Sequence, residues 1–168
     1  MIELSFEISS FLKNIHYSSG RTKIGGFPGD EWRGISFDDK IKMFKLNCGY
    51  YLDGFLDSCS KSEYYYFSQK DFLPIINDLK NDQLAKINSN GIYVLVEGTS
   101  DHSGGTFEDY SFAFAQKGII KGDLRLKNNL LDRYQLDFKP TGEKKELQDN
   151  FQSFIGKEII EKLVCDCI

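Results

Sequence analysis

In four runs between residues 91 and 138 apolar side chains recur at every second position, and this period of two limits the fold more than any other feature of the chain. Over Gly91–Glu97, Ile92, Val94 and Val96 alternate with Tyr93 and Leu95, so both faces are apolar and a covered central strand is expected. In Thr106–Gln116, Tyr110, Phe112 and Phe114 alternate with Asp109, Ser111 and Ala113. Over Ile120–Lys127, Leu124 and Leu126 alternate with Asp123, Arg125 and Lys127, and over Leu130–Phe138, Tyr134, Leu136 and Phe138 oppose Arg133, Gln135 and Asp137. Turn-forming residues separate these runs at Lys117-Gly118 and Asn128-Asn129. Consecutive strands joined by short turns make an antiparallel meander with one buried face.

The first half has a different texture. Gly20–Gly34 is dense in glycine, contains Pro28 and carries the chain's one tryptophan, Trp32. It reads as a long ordered loop. After it, Ser36 can cap a helix in which Phe37, Ile41, Phe44, Cys48, Tyr51, Leu52 and Phe55 recur at helical spacing. Tyr64–Phe67 suggests a short strand. A second helix is placed with its cap at Asp71 rather than Ser68, because that cap leaves Pro74 in the first turn; its buried face is Phe72, Ile75, Ile76 and Leu79. A third is expected over Glu143–Val164, on the stripe Leu147, Phe151, Phe154, Ile155, Ile159 and Leu163. Ile2–Ile8 suits an added edge strand. The expected fold is α+β: a meander of four to five strands packed against about three helices, a two-layer sandwich.

With 168 residues, 40% hydrophobic and 14% aromatic, the chain can build a core and is expected to be one domain, residues 1–168. Its formal charge is −4, with 21 basic residues interspersed among 25 acidic ones. Nucleic acid is a poor fit to that balance, since phosphate binding needs clustered cations. The opening Met1–Glu7 lacks the basic and apolar regions of a secretory signal, and no apolar run approaches the length of a membrane span, so a cytoplasmic protein away from the membrane is expected. Cys165 and Cys167 form a C-x-C pair without a second pair or His cluster beside it, and no metal or cofactor is expected.

The most chemical stretch is Glu97–Thr106, which holds Thr99, Ser100, Asp101 and His102 before a glycine pair. Consecutive residues cannot converge as a Ser-His-Asp relay, and the glycine spacing matches neither a nucleophile elbow nor a P-loop. A hairpin loop built of turn residues at Thr99–Thr106 accounts for this stretch. A small enzyme or ligand-binding domain would use His102 as acid/base with Asp101 orienting it. Trp32, flanked by Asp30 and Glu31, has the make-up of an aromatic anchor with a polar rim. Asp101, Glu108 and Asp109 form a second acidic group near the hairpin.

In its small size, acidic charge and lack of a catalytic motif, the chain resembles the immunity proteins that bacteria pair with their toxins. That resemblance implies a non-catalytic inhibitor that covers the active site of a basic toxin domain, such as a nuclease. The residues expected to meet such a partner are Asp30, Glu31 and Trp32, with Asp101, Glu108 and Asp109 second.

Overall fold

The structure, a computed structural model, describes residues 4–16, 18–24, 27–53, 57–102 and 110–146, and the side chains within 4–16, 33–49, 61–98, 114–132 and 135–146. The elements run α1 (Phe6–Asn14), β1 (Ser18–Ile24), β2 (Phe27–Asp38), β3 (Met43–Asp53), β4 (Asp57–Phe67), α2 (Gln69–Asp82), β5 (Leu84–His102), β6 (Tyr110–Lys127), β7 (Leu130–Pro140) and β8 (Lys145–Glu146). The fold is α+β with an antiparallel sheet, as expected. The sheet is larger, however: β1 to β7 lie side by side in chain order and β8 pairs with β6. Two helices, not three, occur among the described residues.

Several expectations are corrected. Gly20–Gly34 is not a loop but a hairpin, in which Ile24 pairs with Phe27 and Ser18 with Arg33. Pro28 is tolerated because it faces only Lys23; pairing of β2 with β3 begins one residue later, at Gly29–Leu52. The helix over Ser36–Phe55 is instead the end of β2, a turn and β3. Asp38 builds the turn, its Oδ1 accepting from the Lys40 amide at 2.9 Å and the Ile41 amide at 3.4 Å. Lys42 then adopts φ 57° and donates its amide to the Asp38 carbonyl at 2.8 Å. Beyond it Phe44, Leu46 and Cys48 face the core at period two. The helical stripe had left out Leu46, which is fully buried.

Helix α2 is capped by Ser68, not Asp71: the Ser68 hydroxyl accepts from the Asp71 amide at 3.2 Å. Pro74 thus sits inside the helix, where the Lys70 carbonyl loses its amide donor. Pro74 and Lys70 are both exposed, so water can replace that donor, and burial of Phe72, Ile75, Ile76 and Leu79 holds the helix in place. The N-terminal edge strand is replaced by α1, whose cap Ser5 accepts from the Ile8 amide at 3.3 Å.

Lys117-Gly118 is not a turn, because β6 runs straight through it opposite Tyr93 and Ile92. Gly118 is required by a close neighbour instead: a Cβ there would lie 2.4 Å from the Lys139 carbonyl oxygen. Asn128-Asn129 is the expected turn, with φ of 53° and 62° as a tight hairpin with two left-handed central residues demands. A helix starting at Glu143 is excluded by β8, where Lys145 and Glu146 pair with Ala115 and Phe114. Residues 147–164 of that expected helix lie outside the described residues.

The sheet curls. His16, two residues before β1, forms an isolated parallel bridge with Leu130 at the start of β7. Its amide donates to the Asn129 carbonyl at 2.7 Å, and its carbonyl accepts from the Leu131 amide at 3.3 Å. In an up-and-down path of seven strands the first and last point the same way, so a contact between them must be parallel. An ion pair between Arg33 on β2 and Asp132 on β7, 3.6 Å, links the same two sides. The concave face holds the core. Phe72 of α2 stacks on Phe44 at 5.1 Å and meets Phe67 at 4.8 Å, while α1 packs on this core through Ile8, Phe11 and Leu12.

Candidate functional site

The strand bounds bring the two candidate segments to one end of the sheet. The β1–β2, β3–β4 and β5–β6 connections all lie opposite the end that carries the β2–β3 and β6–β7 turns and α2. Asp30, Glu31 and Trp32 are on β2, not on a loop, and pair with Tyr51, Tyr50 and Gly49. The hairpin loop expected at Thr99–Thr106 does not begin at Thr99: β5 continues to His102, with Asp101 and His102 opposite Ser58 and Asp57, and residues 103–106 lie outside the described residues. Because successive strand residues alternate in face, Glu31 shares a register row with Tyr50 and Lys61, whereas Trp32 shares one with Gly49, Ser62 and Glu97. The side chains of Asp30, Glu31, Trp32, Asp101 and His102, and all of Glu108 and Asp109, lie outside the described residues.

Towards this end, beyond the residues that α2 covers, the concave face opens into a cavity of about 280 Å³. Val94 and Val96 of β5, Phe114 of β6, and Leu136 and Phe138 of β7 form its apolar walls. Its polar side is a strip on β4. Lys61, Glu63, Tyr65 and Phe67 are spaced by two and share the inward face, so that face passes from charged to apolar along one strand. Lys61 Nζ lies 3.0 Å from Glu63 Oε1, and the Tyr65 hydroxyl donates to Glu63 Oε2. Both side chains of this ion pair are half-buried, Lys61 at 34% and Glu63 at 18% exposure. Gln116 completes the described lining and donates its Nε2 to the Gly142 carbonyl at 2.9 Å. None of Lys61, Glu63 and Tyr65 stood out in the sequence as a site residue. The signal was available in the period-two pattern: two charged residues stand at inward positions once β4 extends back from Tyr64.

The convex face of the same strands carries a tyrosine patch. Tyr64 donates to Glu97 Oε1 at 3.2 Å and lies under Lys45 Nζ, while Lys117 Nζ lies 5.5 Å from the Tyr93 ring centre. Tyr66 is buried between them, and its ionisation is pushed above the ordinary value of 10.0, chiefly by burial and then by Asp38, Tyr64 and Glu97. Tyr64 is raised too, mainly by burial, against the lowering effect of its hydrogen bond with Ser62. A tyrosine whose folded value exceeds its unfolded one supports the fold below the unfolded value and loses that contribution as pH rises through the folded one. Resistance to urea unfolding should therefore fall above about pH 10. Tyr66→Phe should flatten that decline; an equally steep decline in the variant would remove Tyr66 as its source.

Among the described residues, no group of three or more His, Cys, Asp or Glu is placed to hold a metal ion, and no helix is long and apolar enough to cross a membrane. No family model matches the chain, and no curated protein or solved structure matches it.

Proposed function

We propose that this chain is a non-catalytic protein-binding protein that presents one end of its curled sheet to a basic partner. The observation that supports this reading is the convergence of two acidic segments, distant in sequence, on that end. Asp30 and Glu31 lie on β2, Asp53 closes β3, Asp57 opens β4 and Asp101 stands beside it on β5, with Glu108 and Asp109 in the chain that joins β5 to β6. Arg21 and Lys23 on β1 offset them only in part. A rigid scaffold that presents loops and strand ends together is the usual way of building a recognition surface. Taken with the resemblance to immunity proteins, the partner is a toxin domain, and inhibition works by covering its cleft, with opposite charge accelerating the encounter.

The test is calorimetric titration against the product of the neighbouring gene. Affinity should fall steeply as salt rises from about 50 to about 500 mM, since exposed charges are screened over that range. The double change Asp30→Lys with Asp101→Lys should weaken binding by about tenfold or more, equal to about 1.4 kcal/mol. Binding that ignores both salt and charge reversal, or no binding at all, would remove the reading.

A further inference from the structure

We propose that residues 147–164 dock as an amphipathic helix on the convex face of the curled sheet, so that the chain's own C-terminal segment is the partner of that face. This inference goes beyond the protein-binding reading and does not rest on it.

The argument begins with one row of residues across the sheet. Gly34, Asn47, Tyr64, Leu95, Ala115 and Lys145 stand opposite one another in register on β2, β3, β4, β5, β6 and β8. Their chain neighbours Ile35, Cys48, Tyr65 and Val94 belong to the core on the concave face, so strand alternation puts the row on the convex face. Both α1 and α2 pack on the concave core, and side chains of the row should therefore meet solvent. They do not. Leu95 is 0% exposed and Ala115 4%, and Gly34 is buried. Asn47 Oδ1 is sealed from solvent and has no hydrogen-bond partner. Neighbouring side chains cannot hide Leu95 unaided, since Ala115 beside it carries a single methyl group. The burial is that of one chain without a partner, so the layer that covers the row comes from the same chain.

Residues 147–168 can supply that layer. The other stretches outside the described residues are at most seven residues long. The stripe Leu147, Phe151, Phe154, Ile155, Ile159 and Leu163 gives residues 147–164 one continuous apolar face as a helix. Strand β8 delivers the segment to the right place, because Lys145 pairs with Ala115 at the end of the buried row. A helix over 147–164 is about 27 Å long. The four strand spacings from β6 to β2 amount to about 19 Å, so a helix lying across the strands reaches Gly34. The surface suits such a neighbour: Gly34 and Ala115 are small, Gly49 and Ser62 stand in the adjacent row, and glycine within a strand marks close approach of another backbone. The helix adds a third layer to the expected two-layer sandwich.

The experiment uses the full chain with ¹³C-labelled methyl groups of alanine, isoleucine, leucine and valine. The expected result is nuclear Overhauser contacts from the Leu95 and Ala115 methyl groups to those of Ile155 and Ile159. These contacts should be absent from a filtered experiment on mixed labelled and unlabelled chains, which reads contacts between copies. Phe154→Asp combined with Ile155→Asp should abolish the remaining contacts and speed amide exchange over residues 151–163 by about tenfold or more, while the Ile76 and Leu131 amides stay protected. If that variant does not fold, the contacts in the unaltered chain decide by themselves. The inference is overturned if Leu95 and Ala115 show no contact with residues 147–164, or if Ile155 and Ile159 contact Val96 or Leu136 on the concave face instead. It is also overturned if the contacts arise only between two copies, or if the double variant keeps them. Failure here leaves the calorimetric titration of the partner unaffected, so the two readings can fail separately.

Discussion

Phe72→Ala should lower the unfolding free energy by about 3–5 kcal/mol, the range for deleting a fully buried phenylalanine ring. Phe72 is 0% exposed and is the point at which α2 meets the sheet. Its ring stacks on Phe44 of β3 at 5.1 Å and lies 4.8 Å from Phe67 of β4. Removing it takes contacts from two strands and leaves a void that the sheet can only partly close. Because domains of this kind are stable by only about 5–15 kcal/mol, the variant should be close to the limit of folding. Leu73 is the next residue on the same helix but only half-buried, and Leu73→Ala should cost clearly less. The measurement is the urea midpoint of each variant at an unchanged slope. A loss below about 1 kcal/mol for Phe72→Ala would mean that α2 is not seated in the concave face.

Gly122→Ala should be at least as damaging, for a reason of backbone geometry rather than burial. A Cβ at this position would lie 1.8 Å from the Gln135 carbonyl oxygen, 2.8 Å from its carbon and 2.9 Å from the Leu136 Cα. All three are backbone atoms of β7, so no side chain can turn aside to make room. Gly122 also has φ of 155°, which side chains disfavour, and the β6–β7 register shifts immediately after it, between Asp123 and Leu124. The expected cost is about 4 kcal/mol or more, in the range reserved for specific structural conflicts. Gly91→Ala supplies the comparison. Gly91 has φ of 69°, but the nearest atom to a Cβ is Lys117 Cε at 3.4 Å, the end of a flexible side chain. Strain alone then costs about 1–2 kcal/mol. Equal losses at the two glycines would show that β7 does not approach Gly122 as described.

The parts of the fold that could be read from the sequence are those where one period had no competitor. Gly91–Glu97, Ile120–Lys127 and Leu130–Phe138 lie within strands β5, β6 and β7, and Asn128-Asn129 turns the chain between the last two. The core face of α2 was equally clear. Misreading arose where two periods fitted the same residues. Phe37, Ile41, Phe44 and Cys48 satisfy a helix, while Phe44, Leu46 and Cys48 satisfy a strand; tertiary pairing with β2 and β4 decides between them. Glycine misled in both directions. Gly118 suggested a turn where it serves close packing, and the glycines of Gly20–Gly34 suggested a loop where strand neighbours exist on either side. The convergence of Asp30 and Asp101 on one end could not be read at all, because it depends on how many strands separate them. The charged strip on β4 could have been found had Lys61 and Glu63 been counted as part of the strand that ends at Phe67.

The bridge between His16 and Leu130 has a kinetic consequence. Most neighbouring strands in this sheet are consecutive in the chain and joined by short connections, so each can pair at small entropic cost once its predecessor is in place. The seam from His16 to Leu130 spans most of the described chain, and it depends on every intervening strand being in register. Contacts of such long sequence separation raise the contact order and form late. The seam is thus the last part of the sheet to close and the first to part. An opening there would widen the concave face from its edge while leaving the strands between them paired.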